Sequence, residues 1–199
     1  MGNADSSQHG VRVVVAEDEA VIRMDLVEMV RELGHDVVGE AFNGQQAVDL
    51  ARELKPDVIF LDIAMPERDG LSAAEEIVEA GLCAVIMVTA FSQRDVATRA
   101  AEAGAVGYVV KPFTMADLEP AIAVALARWE QVLALKGEVE SLGERARARE
   151  AVEQAKVLLQ RDHGMSEPAA FAWLRRAAMD KRVTLAEVSA EMIQGSIRP

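Results

Sequence analysis

The chain has little cysteine and no long hydrophobic run, and each absence excludes a class of protein. A single cysteine, Cys83, rules out an internal disulfide. No apolar stretch is long enough to span a bilayer, and residues 1–10 lack the basic and apolar pattern of a signal peptide. We therefore expect a cytoplasmic protein whose residues 1–10 form a disordered tail.

Two further kinds of site are missing from the sequence. The three histidines, His9, His35 and His163, are widely scattered and do not have the spacing of zinc ligands. No nucleophile–base pair and no phosphate-binding glycine loop are present, which argues against an independent small-molecule enzyme. The sequence therefore suggests neither a zinc site nor an enzyme of this kind.

Charge is distributed unevenly along the 199 residues, a length that suits one full domain and a smaller one. Residues 1–124 carry 9 Lys and Arg against 22 Asp and Glu, whereas residues 125–199 carry 12 against 11. The first part is strongly acidic and the second is close to neutral. This asymmetry predicts two parts with different partners.

Four apolar segments each end in a polar residue that can take part in chemistry. Runs of Val, Ile, Phe and Leu bounded by turn residues predict strands that are buried on both faces. In a parallel sheet such strands end at one edge, where open α/β sheets bind ligands. The segments are 13–16 before Glu17 and Asp18, 58–61 before Asp62, 84–88 before Thr89, and 106–110 before Lys111.

Carboxylates grouped in this way suit a hard divalent cation such as Mg²⁺, which prefers oxygen ligands. Thr89 and Lys111 supply donors for a transferred phosphoryl group. Each residue alone has a plainer explanation, since Asp62 could cap a loop, the acids at 17–19 could cap a helix, and Lys111 could be a solvated charge. Their joint order and spacing favour one shared site.

The spacing of the segments also predicts the fold of the first part. Five βα units without hairpin turns indicate an α/β fold, a five-stranded doubly wound parallel sheet with helices on both faces. The second strand is expected over Asp36–Ala41 and the last helix from near Asp117. The other helices are expected over 20–33, 45–54, 72–79 and 93–103.

With these features, residues 11–124 resemble the flavodoxin-like receiver domain of two-component response regulators. The resemblance implies that Asp62 is the phosphoacceptor, which takes a phosphoryl group from a sensor histidine kinase. It implies a Mg²⁺ cofactor held by Glu17, Asp18, Asp62 and the backbone carbonyl of Ala64. The implied activity is limited to autophosphorylation from small phosphodonors and slow autodephosphorylation, so we expect a regulatory protein that is not an enzyme.

Further residues acquire roles through the same resemblance. Thr89 and Lys111 are expected to contact the phosphoryl oxygens, and Tyr108 is expected to be the aromatic switch residue that turns inward on activation. The bond between Lys111 and Pro112 resembles the cis peptide that aims the lysine. Two positions fall where the family tunes the lifetime of the phosphate, and neither side chain can orient a water: Ala64 and Phe91.

A linker helix is expected over residues 125–146, because no proline or glycine interrupts residues 121–136. Apolar residues recur along it at steps of three and four, as in a short coiled-coil seam: Val132, Leu135, Val139 and Leu142. The seam fits two arrangements equally well. The helix packs on its own chain, or it joins two copies in a homodimer that forms on phosphorylation.

Residues 147–199 predict a small all-α bundle of three helices, the first over 147–162. The second helix begins after Ser166, and its buried stripe is expected to be Phe171, Leu174, Ala177 and Ala178. The third helix follows a capping box formed by Thr184 and Glu187. Its apolar residues are Val188, Met192 and Ile193.

This last segment resembles the ANTAR domain, an RNA-binding module of bacterial antitermination regulators. The similarity lies in VEQAK at 152–156, HGMSE at 163–167, AF and LRRAAM at 170–171 and 174–179, and LAEV at 185–188. The chain departs from the family pattern at Val157, Gln160 and Ser189. The resemblance implies binding of paired RNA hairpins, through exposed bases and backbone shape.

Basic residues of this segment are the candidates for contact with RNA. Arg145, Arg149 and Lys156 lie within about 40° of each other around a helix and form one basic stripe. The stripe can be extended by Arg161, Arg175, Arg176, Lys181 and Arg182. The alternative is that these residues form solvated faces paired with nearby glutamates. Because this part has almost no net charge, its attraction to phosphate should be weak and salt-sensitive.

Three functions fit the sequence, and the leading one is a phosphorylation-controlled response regulator that acts as an RNA-binding transcription antiterminator. The second is a response regulator that binds duplex DNA, because residues 184–189 resemble the opening of a helix-turn-helix. Little room follows them for a recognition helix. The third is a receiver whose helical tail binds only protein, for which a larger exposed apolar stripe would be expected.

Overall fold

The computed structural model describes residues 10–90 and 94–199. Phe91 and residues 1–9 of the expected tail lie outside the described residues. The strands are β1 (Arg12–Ala16), β2 (Asp36–Ala41), β3 (Val58–Asp62), β4 (Ala84–Thr89) and β5 (Gly107–Val110). The helices are α1 (Ala20–Glu32), α2 (Gly44–Leu54), α3 (Gly70–Glu79), α4 (Arg94–Glu102), α5 (Met115–His163), α6 (Glu167–Lys181) and α7 (Leu185–Ile193).

All five strands pair in parallel, in the order β2–β1–β3–β4–β5. This order confirms the five-stranded, doubly wound α/β fold that the sequence predicts. The register brings the carboxyl ends of the central strands level, since Ala16 of β1 lies beside Leu61 of β3, and Asp62 lies beside Val88 of β4. Residues that follow these strands therefore share one edge of the sheet.

Helices cover both faces of the sheet, because successive residues of a strand point to opposite sides. On one face Val14 and Ile59 belong to a core that includes residues of α2, α3 and α4. On the other face Val13 and Phe60 belong to a core with residues of α1 and α5. Burial on both faces explains why the strands are nearly uninterrupted apolar runs.

Local signals set the ends of the helices. Gly34 follows α1 with a φ of +84°, the left-handed conformation that glycine adopts without strain. Asn43 and Asp69 cap α2 and α3 by accepting hydrogen bonds from the backbone amides of Gln46 and Ser72. These caps start α2 one residue and α3 two residues before the positions predicted from the sequence.

The chain divides into two compact units, Met1–Leu133 and Ala134–Pro199. α5 is one helix of 49 residues, so no break marks the expected start of a helix at residue 147. In the second unit the core contains residues of α5, α6 and α7, including Leu159, Leu174 and Val188. Thr184 and Glu187 form the predicted capping box. Within the described ranges, every helix is too short or too polar to cross a membrane.

The sequence predicts burial of Phe171, and this prediction is wrong. Phe171 is 43% exposed, because Ala170 takes the core-facing position one residue earlier, in line with Leu174 and Ala178. Ile193 is 38% exposed at the last position of α7. The apolar stripe of α6 is therefore narrower than expected, and an aromatic ring lies at the surface.

Candidate functional site

The three acids expected at the sheet edge lie close together. β1 ends directly before Glu17 and Asp18, and β3 ends with Asp62. One carboxylate oxygen from each acid lies within 4.8 Å of those of the other two. Glu17 and Asp62 are buried, whereas Asp18 is exposed. The register of β1 and β3 thus produces a three-carboxylate cluster.

Lys111 supplies a positive charge to this cluster. It follows β5, and its peptide bond to Pro112 is cis, which confirms that prediction. Its Nζ lies 2.6 Å from Oε2 of Glu17 and 2.9 Å from Oδ1 of Asp62. Its backbone N–H donates to the carbonyl of Thr89 at 2.7 Å, which holds the end of β5 against β4. One ammonium group is therefore shared by two buried carboxylates.

The electrostatics of the cluster favour a bound cation. Burial raises the pKa of the Glu17 carboxyl, Lys111 opposes this change, and the charge of Asp62 adds to it. Burial lowers the pKa of Lys111, but contacts with Glu17 and Asp62 outweigh burial and raise it. Among the described residues, Oε2 of Glu17 makes an ion pair but no hydrogen bond. The cluster therefore has buried carboxylate oxygens with too few hydrogen-bond partners. Such oxygens are suitable ligands for a hard divalent cation.

A cavity of about 500 Å³ opens onto the cluster. It is lined by Asp18, Asp62, Ala64, Thr89 and Lys111, together with apolar side chains that include Ile22, Met29 and Phe113. Thr89 is buried at the end of β4. The backbone N–H of Ala64 donates to Oδ2 of Asp62 at 3.0 Å, which orients the carboxylate. The cavity therefore has room for a phosphoryl group beside the expected acceptor, Asp62, and beside Thr89 and Lys111.

Arg23 is a residue of this site that sequence reasoning missed. Its Nη1 donates to the backbone carbonyl of Glu17 at 2.7 Å, and its Nε lies 3.3 Å from Oε2 of Glu40. Its guanidinium carbon lies 4.3 Å from the centroid of the Phe42 ring. These contacts fasten the acidic loop to β2. The signal in the sequence was a basic residue in the first turn of α1, where the helix dipole disfavours positive charge.

Gly70 is a second feature that the sequence did not assign to the site. Its backbone N–H donates to the carbonyl of Ile63 at 3.0 Å. A Cβ atom at this position would collide with the carbonyl oxygen of Asp62. Only glycine permits so close an approach of the start of α3 to the backbone of Asp62.

Tyr108, the expected switch residue, lies at the surface. It is 56% exposed on β5, beside Val109, which is buried. This is the outward position, and the inward turn on activation stays a prediction. Of the two positions expected to tune the lifetime of the phosphate, Ala64 lines the cavity and Phe91 lies outside the described residues.

The apolar seam predicted on the linker helix divides into two parts. Val132 packs against the core of the first unit. Leu135, Val139 and Leu142, at heptad spacing, are each more than half exposed. In the single chain these three side chains form an exposed apolar stripe on α5, the α5 stripe.

The basic stripe predicted on α5 is only partly accessible. Arg145 and Arg149 are exposed. Lys156 is 8% exposed, and its ammonium lies 2.9 Å from a carboxylate oxygen of Glu153 and 2.9 Å from one of Glu167. These carboxylates raise the pKa of Lys156. Lys156 therefore joins α5 to α6, which corrects its expected place on an open surface.

The remaining candidates for RNA contact are exposed. Arg161 makes two hydrogen bonds to its neighbour Asp162, at 2.6 Å and 2.9 Å, so its charge is partly compensated. Among the residues that the structure describes, neither Arg175 nor Arg176 has a carboxylate within 4.0 Å. Their contact with RNA stays a prediction.

Two known protein families match successive parts of the chain. Residues 13–123 match the model of the response regulator receiver domain, and residues 140–193 match that of the ANTAR domain. The receiver match includes the three acids, Thr89 and Lys111. The ANTAR match includes the last part of α5, all of α6 and all of α7.

Individual proteins are also similar to this chain. The transcriptional regulatory protein PdtaR of Mycobacterium tuberculosis is 52% identical over 183 residues, which are 92% of this chain and 89% of that protein. The chemotaxis protein CheY of Thermotoga maritima is 42% identical over 105 residues, 52% of this chain and 88% of its own. The receiver domain of the NarL response regulator from Mycobacterium tuberculosis superposes with a TM-score of 0.55 at 32% identity, covering 57% of this chain and 94% of that one. This chain therefore belongs to the response regulators that join a receiver domain to an ANTAR domain.

Proposed function

We propose that this protein is a phosphorylation-controlled response regulator that binds RNA hairpins and acts as a transcription antiterminator. The observation that carries the proposal is the presence of a receiver site and an ANTAR segment in one chain. The first unit groups three acids with Lys111, and Asp18, Asp62 and Lys111 line one cavity. Residues of the second unit match the ANTAR family.

Asp62 accepts the phosphoryl group from a sensor histidine kinase. A bond forms between a carboxylate oxygen and phosphorus while the bond from phosphorus to the donor's leaving group breaks. Because two anions must approach each other, positive charge near the transferred group lowers the barrier. Lys111 provides such a charge 2.9 Å from Asp62. Mg²⁺, held by Glu17, Asp18, Asp62 and the carbonyl of Ala64, supplies further charge when bound.

Phosphorylation is expected to change the electrostatics at Asp62 and, through them, the conformation of residues farther away. The new group adds negative charge and acceptor oxygens beside the buried Thr89, which lines the same cavity. A hydrogen bond from the Thr89 hydroxyl to the phosphoryl group pulls the end of β4 inward. Tyr108, on the neighbouring strand β5, then turns inward from its exposed position.

The α5 stripe provides the means of forming a homodimer in the phosphorylated state. Its three apolar side chains are exposed at the spacing of a coiled-coil seam, and burial against a second copy removes them from water. Sedimentation of the phosphorylated chain tests this step. We expect a dimer that Leu142→Glu disrupts, and a monomer in both states would contradict it. A cytoplasmic location is part of the proposal, because the proposed kinase and RNA partners would be met there.

The ANTAR match favours RNA over the two alternative partners. Residues 184–189, which resemble the opening of a helix-turn-helix, lie inside the ANTAR match. A tail that binds only protein would not need the exposed arginines of α5 and α6. RNA binding explains these cations, because phosphates attract them.

A binding titration distinguishes the three partners. The full chain, phosphorylated with acetyl phosphate and Mg²⁺, is titrated with a pool of RNA hairpins that share one stem and carry a randomised loop. Duplex DNA of the stem sequence is the control, and both are measured at two salt concentrations. We expect the chain to select hairpins from the pool over the duplex. Preference for duplex DNA, or no binding of either nucleic acid, would contradict the proposed output.

A further inference from the structure

α6 carries an exposed line of side chains beside its buried stripe. Phe171, Arg175 and Met179 follow each other at steps of four residues, so they lie along one side of the helix. Phe171 is 43% exposed, Met179 is 71% exposed, and Arg175 is exposed. We call these three residues the α6 face. It presents an aromatic ring, a thioether and a guanidinium group in a row.

The aromatic ring of this face differs from the other exposed phenylalanine of the described chain. Phe42 is 47% exposed, but the guanidinium of Arg23 lies over its ring at 4.3 Å. In the part of the chain that the structure describes, no cation covers the ring of Phe171. Because the Phe171 side chain is 43% exposed and lacks such a cation, a planar partner can reach its ring.

The charge around the α6 face is positive. Arg175, Arg176 and Arg182 are exposed, and no ion pair of theirs is found among the described residues. Glu167, an acid at the start of α6, is held by Lys156. The face therefore has cations free to meet a polyanion, while the acid nearest its start is already paired.

We infer that the α6 face is the platform on which unpaired bases of an RNA loop stack. The inference rests on the proposed function, that the chain binds RNA. Proteins recognise RNA loops by stacking splayed bases on aromatic rings and guanidinium planes. Phe171 supplies the ring, and Arg175, one turn along, supplies a planar cation that can stack or contact phosphate.

A single ring and a thioether among arginines suit nucleic acid better than a protein partner. The apolar part of the α6 face is too small for a stable protein interface, whose core is depleted in charge. A base needs only one ring face, and its phosphate is attracted by the adjacent cations. Arg145 and Arg149 on α5 then contact the backbone of the RNA, whereas the α6 face contacts its bases.

The test measures how tightly variants of the full, phosphorylated chain bind RNA hairpins. These hairpins are the ones that the wild-type protein selects from the randomised pool. Phe171→Leu removes the ring and keeps an apolar side chain, and Phe171→Tyr restores the ring. Val157→Ala is the matched control, because Val157 is an exposed apolar residue on α5 of the same unit. Circular dichroism of each variant monitors folding.

We expect Phe171→Leu to weaken hairpin binding about tenfold or more, and Phe171→Tyr and Val157→Ala to bind like the wild type. Arg175→Gln should weaken binding and reduce the slope of log affinity against log salt by about one. Hairpin binding by Phe171→Leu at wild-type strength would overturn the inference and leave RNA binding intact. If the wild type itself binds no hairpin, the proposed function fails, and the inference fails with it.

A second measurement needs no variant and so does not depend on folding. Hairpins with 5-iodouridine in the loop are photo-cross-linked to the wild-type chain, and the attachment site is mapped by tandem mass spectrometry. We expect the cross-link at Phe171. Cross-links confined to α5 or α7 would place the loop bases elsewhere and overturn the inference.

Discussion

The two units of this chain place their functional groups in opposite surroundings. In the receiver unit Asp62 and Thr89 are buried beside one cavity, and Lys111 is fixed by two carboxylates. In the second unit the arginines expected to contact RNA are exposed, and the buried Lys156 packs α5 against α6. Transfer of a small charged group requires fixed charges in a poorly solvated site, whereas a long polyanion requires cations that it can reach.

This difference implies different responses to substitution. A change in the receiver site removes one member of an interlocked group, so its effect should be large and local. A change on the surface of the second unit removes one of several similar contacts, so its effect should be graded. The following predictions, from the largest expected effect to the smallest, test whether the two units differ in this way.

Asp62→Asn should abolish phosphoryl uptake. The amide is a far weaker nucleophile than the carboxylate, and it removes one of the three clustered charges. Intact-protein mass spectrometry after incubation with acetyl phosphate and Mg²⁺ measures the product. Asp25→Asn is the matched control, since Asp25 lines the same cavity outside the cluster and should leave uptake intact. A phosphorylated Asp62→Asn variant would place the acceptor at another residue.

Gly70→Ala and Gly137→Ala should shift stability in opposite directions. A Cβ at Gly70 meets the backbone of Asp62, and we expect a loss of about 3 kcal/mol. Among the described residues, a Cβ at Gly137 of α5 would meet no atom within 4 Å beyond the backbone of its own helix, so alanine should add about 0.5–1 kcal/mol. Calorimetry of the full chain measures both. Equal tolerance of the two substitutions would contradict the tight packing beneath Asp62.

Arg23→Ala should weaken Mg²⁺ binding about tenfold, the order expected when an outer partner of a metal ligand is lost. Arg23 holds the carbonyl of Glu17 at 2.7 Å and so positions the acidic loop. Isothermal titration calorimetry gives the dissociation constant. Arg52→Ala serves as the control, because Arg52 pairs with Glu76 away from the cluster. Unchanged Mg²⁺ affinity in Arg23→Ala would show that the loop holds its shape unaided.

Arg149→Gln and Lys156→Gln should separate RNA contact from packing. Arg149 is exposed, so its loss should reduce the slope of log affinity against log salt by about one, with no change in thermal unfolding. Lys156 is held by Glu153 and Glu167, so its loss should lower the unfolding temperature and leave the salt slope unchanged. The reverse pattern would show that Lys156 is the residue that reaches RNA.

Cys83 should be unreactive in the folded chain. It is buried in the receiver core, and burial raises the pKa of its thiol to about 12. Because the thiolate is the reactive form, iodoacetamide at pH 8 should alkylate it only after unfolding by urea. Rapid alkylation in the native state would mean that the receiver core opens readily. In that case the contrast between a buried receiver site and an exposed second unit would be weaker than the structure indicates.

The sequence predicted the grouping of residues at the edge of the receiver sheet well, because topology alone brings them together. Each functional side chain follows an apolar strand, and in a parallel sheet those strand ends meet at one edge. The sheet order, the acid cluster and the cis bond before Pro112 confirm that argument. Arg23 and Gly70 were missed, because their roles depend on contacts with backbone atoms, and backbone contacts leave little trace in a sequence.

Sequence predicted the second unit less well because a helical surface depends on rotational phase. A helix with alanine on its core side shows a weak apolar pattern, and the larger Phe171 was assigned to the core in place of Ala170. Lys156 was placed on an open stripe, because helix periodicity gives the direction of a side chain around the helix axis. It does not show which other helix packs against that side. Its partner Glu167, on α6, appears only in the folded unit.

The affinity of the full chain for selected RNA hairpins, measured before and after phosphorylation of Asp62, links the two units in one measurement. We expect acetyl phosphate with Mg²⁺ to strengthen hairpin binding by the wild type and to leave Asp62→Asn unchanged. Equal affinity of the wild type in both states, or the same increase in Asp62→Asn, would contradict control of RNA binding by the receiver.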